Sequence, residues 1–147
     1  MNFSRSLEEL ALRLFKIGAI KFGSFRLKLH DEHPDAPLSP IYVDLRILRS
    51  YPDVIGEVVE AYKKKLIEVD PMVDLIADVP TAATPIVSIL MYQTQIPMIT
   101  PKKPKTHGVA SKVEGKFKTG QKVLLIDDLI TKASSKLEAA EILEDNG

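Results

Sequence analysis

The sequence contains no cysteine and no tryptophan, and aromatic residues make up only 6% of its 147 residues. Without cysteine there is no disulfide framework and no thiolate metal site. Twenty basic and twenty acidic side chains cancel to a formal net charge of zero, which removes the electrostatic case for a nucleic-acid or membrane-surface partner. No apolar run approaches the roughly 18 residues that a membrane span needs. Arg5, Glu8 and Glu9 near the start fit neither a signal peptide nor a transit peptide. What is present is a hydrophobic content of 45% in a chain of ordinary domain size, enough for one folded core. These features predict a soluble, cytoplasmic, single-domain protein.

Along the chain, helical and strand patterns alternate. Residues 6–17 carry Leu7, Leu10, Ala11, Leu14 and Phe15 at helical spacing, with acids expected in the first turn. Gly18 and Gly23 then interrupt the pattern. Residues 25–29 alternate as a strand should, and 41–45 read as its partner. Between them, 30–40 holds three prolines and several charges and reads as a loop. A long helix is predicted over 52–69, opened by Pro52, with Val54, Ile55, Val58, Tyr62 and Leu66 on its inner side. Residues 73–77 and 96–100 read as short strands and 84–94 as a helix. There is no internal repeat and no low-complexity tract.

The most informative segment is Val-Leu-Leu-Ile-Asp-Asp-Leu-Ile-Thr-Lys-Ala-Ser-Ser, residues 123–135. Its aliphatic run reads as a strand buried on both faces, as in a parallel sheet. Asp127 and Asp128 end the strand, and a hydroxyl-rich turn follows. From Ser134 the period becomes helical, with Leu137, Ala140, Ile142 and Leu143 on one side. Such a unit puts carboxylates and a helix N-terminus at the carboxyl edge of a sheet, where open α/β folds bind ligands and helix starts accept phosphate. The plainer reading is an acidic strand end with Ser134 capping a helix.

This segment resembles the phosphoribosyl diphosphate (PRPP) signature of the type I phosphoribosyltransferases. The resemblance implies that Asp127 and Asp128 hold ribose hydroxyls, while Thr131, Lys132, Ala133, Ser134 and Ser135 wrap the 5′-phosphate. Lys132-Ala133 stands where the family usually has Thr-Gly. Glycine takes positive φ at little cost, whereas alanine does so only with strain.

Two further regions narrow the resemblance to orotate phosphoribosyltransferase. Phe25-Arg26-Leu27-Lys28, followed after a long loop by 39–46 with Tyr42 at its centre, is similar to that family's N-terminal hood. It implies Lys28, Tyr42 and Thr131 as orotate contacts; on spacing alone Lys28 is an ordinary snorkelling lysine. Pro101-Lys102-Lys103-Pro104-Lys105-Thr106-His107-Gly108 resembles the mobile catalytic loop. A glycine-ended cluster of cations suits closure over a diphosphate leaving group, although a lysine run is also what a solvated loop looks like. Lys102, Lys105 and His107 fall on matching positions, with Lys105, His107 and Asp128 in the catalytic roles. Pro101 replaces a common arginine. Thr81, Ala82 and Ala83, between a strand and a helix, occupy the place of the diphosphate-binding loop, where relatives often have Val-Pro-Tyr; a plain connection fits them equally.

The resemblance implies an α/β fold with a central, mainly parallel sheet, a hood at about residues 1–50 and a core at about 51–147. It also implies transfer of phosphoribose from PRPP to orotate, Mg²⁺ carried mainly by PRPP, and a homodimer sharing the lysine loop. In the family the sheet continues beyond the signature helix, so the chain is expected to be part of a longer protein, such as a UMP synthase, or a shortened relative. A non-catalytic PRPP-binding module, or a phosphoribosyltransferase for another base, are the alternatives that the departures favour.

Overall fold

The computed structural model describes residues 3–102, 112–130 and 133–147, with side chains described from residue 6. The chain divides into two compact units, Met1–Val54 and Ile55–Gly147.

In the first unit, helix α1 (Phe3–Lys16) leads into a hairpin of β1 (Ile20–Phe25) and β2 (Ser39–Val43). A short helix α2 (Leu29–Glu32) lies in the connection, and a 3-10 turn spans Leu45–Ser50. The expected helix starts earlier, at Phe3, so Glu8 and Glu9 fall beyond its first turn. Gly18 ends it with φ of +79°, and its N–H donates to Phe15 O at 3.0 Å, a left-handed stop that glycine makes without strain. The strand expected at 25–29 lies instead at Ile20–Phe25, paired antiparallel with β2. The register slips between Phe22 and Phe25, so Gly23 sits inside an irregular strand rather than breaking the chain. Lys28 is therefore not a strand residue; it is exposed and precedes α2. Within the predicted loop, His30 is buried, and its Nδ1 accepts the Leu27 N–H at 2.8 Å.

The second unit holds a four-stranded sheet in the order β5-β4-β3-β6. Its strands are β3 (Leu75–Asp78), β4 (Met98–Pro101), β5 (Val113–Glu114) and β6 (Val123–Ile126). β3 runs parallel to β4 and β6, while β4 and β5 are antiparallel. Helix α3 (Pro52–Val69) and helix α4 (Thr84–Thr94) match their predicted bounds, because proline at the first turn and an unbroken apolar stripe fix both ends. Leu75, Ala77, Ile99 and Val113 form a core cluster, with Val123, Leu125, Ile142 and Leu143 packed against it.

Two expectations for the signature change. β6 is an edge strand among the described residues, so Val123, Leu124 and Leu125 are half-buried and only Ile126 is fully enclosed. In α5 (Ser134–Asp145) the buried residue is Ala139, whereas Leu137 is 62% exposed. No helix among the described residues is long and apolar enough to cross a membrane.

Candidate active site

β3 and β6 end side by side, Asp78 opposite Ile126, so the segments leaving both strands emerge at the same edge of the sheet. Successive residues at a strand end point to opposite sides, and the acidic pair divides accordingly. Asp127 turns inward, its side chain only 9% exposed and ion-paired with Lys136 on α5. Its Oδ1 also accepts the Asp128 N–H at 2.8 Å. The Asp127 carbonyl accepts the Tyr62 hydroxyl of α3 at 2.7 Å. Asp128 is half-buried. Burial first, and then the neighbouring Asp127 carboxylate, push its pKa above the ordinary aspartate value. Tyr62 is pushed up as well, by burial and then by the charges of Asp128 and Asp127.

Beyond the pair, Ala133 stands immediately before α5 with φ of +60° and ψ of 6°. Its carbonyl receives the N–H groups of Lys136 and Leu137, both at 3.0 Å. Ser134 is therefore the first helical residue rather than the cap, and no side chain caps this helix. Ser134 and Ser135 are exposed at its N-terminus, where backbone N–H groups lack intrahelical partners and suit an anion. Thr131 and Lys132 lie outside the described residues.

A left-handed alanine costs roughly 1–2 kcal/mol, and glycine returns part of this through the roughly 0.5–1 kcal/mol of extra unfolded-chain freedom it brings. Ala133→Gly should therefore raise unfolding free energy by about 0.5–1 kcal/mol in chemical denaturation. If the turn takes the 5′-phosphate as the resemblance implies, Lys132→Thr with Ala133→Gly should tighten PRPP binding several-fold. Unchanged stability would mean that the turn is not left-handed in solution.

The segment between β3 and α4 carries the three residues assigned to the diphosphate loop. Thr81 is exposed, Ala82 half-buried and Ala83 buried, and the Pro80–Thr81 peptide is cis. Asp78 ends β3 just before this segment, and no local pattern singles it out. Asp78 is fully buried and accepts the hydroxyls of Thr84, at the start of α4, and Thr100, on β4, the latter at 2.5 Å. One carboxylate thus ties down both flanks of the loop.

At the far side of the sheet, Lys102 leaves β4 with its Nζ ion-paired to Glu114, and its N–H donates to Lys112 O at 2.7 Å. These contacts close the base of the lysine loop; Lys105 and His107 lie outside the described residues. Gly115 just after has φ of +100°, and a side chain there would come within 2.9 Å of the Met98 carbonyl, which requires glycine. In the first unit, Tyr42 lies 5.5 Å from the Phe25 ring, centre to centre, and receives a 3.3 Å hydrogen bond from Arg46.

Among the described residues, no three carboxylate, imidazole or thiol side chains gather as a metal site. Tyr62, Asp78 and Lys136 are the residues that sequence reasoning missed. Tyr62 was placed on the inner face of its helix, but nothing in spacing alone pairs it with residue 127.

No protein-family model matches the chain. Orotate phosphoribosyltransferase of Methanopyrus kandleri is 36% identical over 141 residues, covering 95% of this chain and 71% of that protein. The enzyme of the same name from Fusobacterium nucleatum is 37% identical over 110 residues, 74% of this chain and 52% of the relative. The chain thus spans about half the length of some curated relatives and about 70% of others. Among solved structures, Leishmania donovani UMP synthase superposes with a TM-score of 0.76 at 34% identity, over 95% of this chain and 28% of that one. The parallel sheet, the acidic strand end and the helix that follows it have the arrangement of a type I phosphoribosyltransferase fold, and the chain belongs to the orotate phosphoribosyltransferase family.

Proposed function

We propose that the chain transfers phosphoribose from PRPP to orotate, giving orotidine 5′-monophosphate and diphosphate in cytoplasmic pyrimidine biosynthesis. The observation that carries this reading is the half-buried carboxylate of Asp128 just past the end of β6, in the connection that leads to the uncapped start of α5, in a chain that matches the family almost end to end. In the reaction the bond from the anomeric carbon to the diphosphate oxygen breaks, a ring nitrogen of orotate bonds to that carbon, and the proton lost from that nitrogen is balanced by protonation of the released diphosphate or solvent. An oxocarbenium-like centre of this kind needs ordered reactants and a neutralised leaving group more than a strong base. The acidic strand end orients the ribose. Ser134 and Ser135, with the helix N–H groups, hold the 5′-phosphate. The 79–83 segment receives the diphosphate, and Lys102, Lys105 and His107 screen its charge as it leaves. Lys28 and Tyr42 keep the orotate-binding role that the resemblance implies. Mg²⁺ carried by PRPP would neutralise the leaving group.

A reading as a PRPP-binding module without turnover is favoured by Ala133 in its left-handed conformation. Calorimetric titration with Mg²⁺–PRPP, followed by diphosphate release in a panel of bases, separates the two. Binding with orotate-dependent release supports the transferase, and binding without release supports the module.

The enzyme we assign is a homodimer in which the lysine loop of each subunit completes its neighbour's site. Lys105→Ala and Asp128→Asn chains should each be poorly active. Random mixing after dissociation makes half the dimers mixed with one intact site each, so activity should recover to about a quarter of the unaltered level. Verified mixed dimers that recover nothing would place loop and site in one subunit.

A further inference from the structure

The two carboxylates of the signature are not equivalent. Both side-chain oxygens of Asp127 are already engaged, Oδ2 by the Lys136 ammonium and Oδ1 by the Asp128 N–H. Its carbonyl is held from α3 by Tyr62. Asp127 and Lys136 are 9% and 18% exposed, so the pair is largely removed from water, where breaking it leaves an uncompensated charge. From these contacts we infer that Lys136 is a positioning residue that commits Asp127 to the scaffold and leaves Asp128 as the carboxylate that receives the ribose hydroxyls. Lys136 belongs to the first turn of α5, so it also fixes that helix start against the end of β6. The inference rests on the phosphoribosyl reading and deepens it.

Without Lys136, a nearly enclosed Asp127 charge would sit beside Asp128 and face the polyanionic PRPP. Lys136→Met should therefore weaken PRPP binding roughly tenfold, through KM rather than kcat, because an unpaired buried carboxylate repels a like charge. Lys136→Arg keeps the cation and should restore affinity. Asp127→Asn should cost no more than about threefold, since its oxygens face the scaffold. Adding Asp127→Asn to Lys136→Met removes the stranded charge and should return affinity to that of Asp127→Asn alone. Calorimetry with Mg²⁺–PRPP on folded variants reads all of these. An Asp127→Asn loss as large as that of Asp128→Asn, or unaltered affinity in Lys136→Met, would overturn the inference. A second reading needs no ligand. The groups facing Asp128 are Asp127, Tyr62 and, through Asp127, Lys136, so its carboxyl NMR titration should move to higher pH in Lys136→Met and not in Lys136→Arg. A titration that stays in place overturns the inference even where PRPP binds. No PRPP binding by the unaltered chain, together with the shifted titration, overturns the functional reading while supporting the hold of Lys136 on Asp127.

Discussion

Asp128→Asn should weaken PRPP binding roughly hundredfold and at the same time make the unliganded protein more stable. Hydrogen bonds to a charged acceptor contribute about 1.5–3 kcal/mol each, so two ribose contacts come to about 3 kcal/mol, or two decades in affinity. The opposite sign for stability follows from the raised pKa of Asp128, which comes from burial and from Asp127. The folded carboxyl keeps its proton to a higher pH than the unfolded one. Across that window the native state binds more protons, and stability falls as pH rises through it. At neutral pH the ionised Asp128 is thus a cost that asparagine removes. For the same reason, PRPP affinity of the unaltered chain should decline on acidification at a higher pH than an ordinary aspartate would give, and this limb should vanish in Asp128→Asn. Denaturant midpoints and PRPP titrations across pH check both halves; a folded Asp128→Asn protein with lower stability and full affinity would contradict them.

The second large effect concerns Asp78. Asp78→Ala should lower unfolding free energy by about 3 kcal/mol, because the hydroxyls of Thr84 and Thr100 lose their acceptor in partly enclosed surroundings at about 1–3 kcal/mol each. Losing the cost of burying the carboxylate returns part of this. Asp78→Asn keeps the shape and at least one acceptor, so it should lose only about 1 kcal/mol. The alanine variant should also bind PRPP less well, since the carboxylate joins the two flanks of the 79–83 segment. Urea denaturation of both variants checks the order; equal losses would mean that the hydroxyl contacts are not made in solution.

Much of the scaffold was legible because its signals are local. Pro52 and Pro85 mark helix starts, and the uncharged stretch Val123–Ile126 marks a strand whatever surrounds it. The hairpin of the first unit was misplaced because Gly23 reads as a breaker, whereas an irregular strand tolerates it. Leu137 was assigned to the buried side of its helix, yet Ala139 is the enclosed residue, since period alone leaves the facing direction open by a residue or two. In the site, Asp127, Asp128, Ser134 and Ser135 were visible as a contiguous unit. Tyr62, 65 positions before its partner Asp127, and the Asp78 brace to Thr100, 22 positions on, depend on tertiary closure that no local pattern encodes. The left-handed backbone at Ala133 was foreseeable as a requirement of the turn, and the structure places alanine in it.

The central claim is tested most directly by following diphosphate release from Mg²⁺–PRPP with orotate, uracil and hypoxanthine as competing acceptors. The account predicts orotate-dependent release with formation of orotidine 5′-monophosphate, lost in Asp128→Asn. Release that prefers another base, or PRPP binding without release in the presence of orotate, would contradict it.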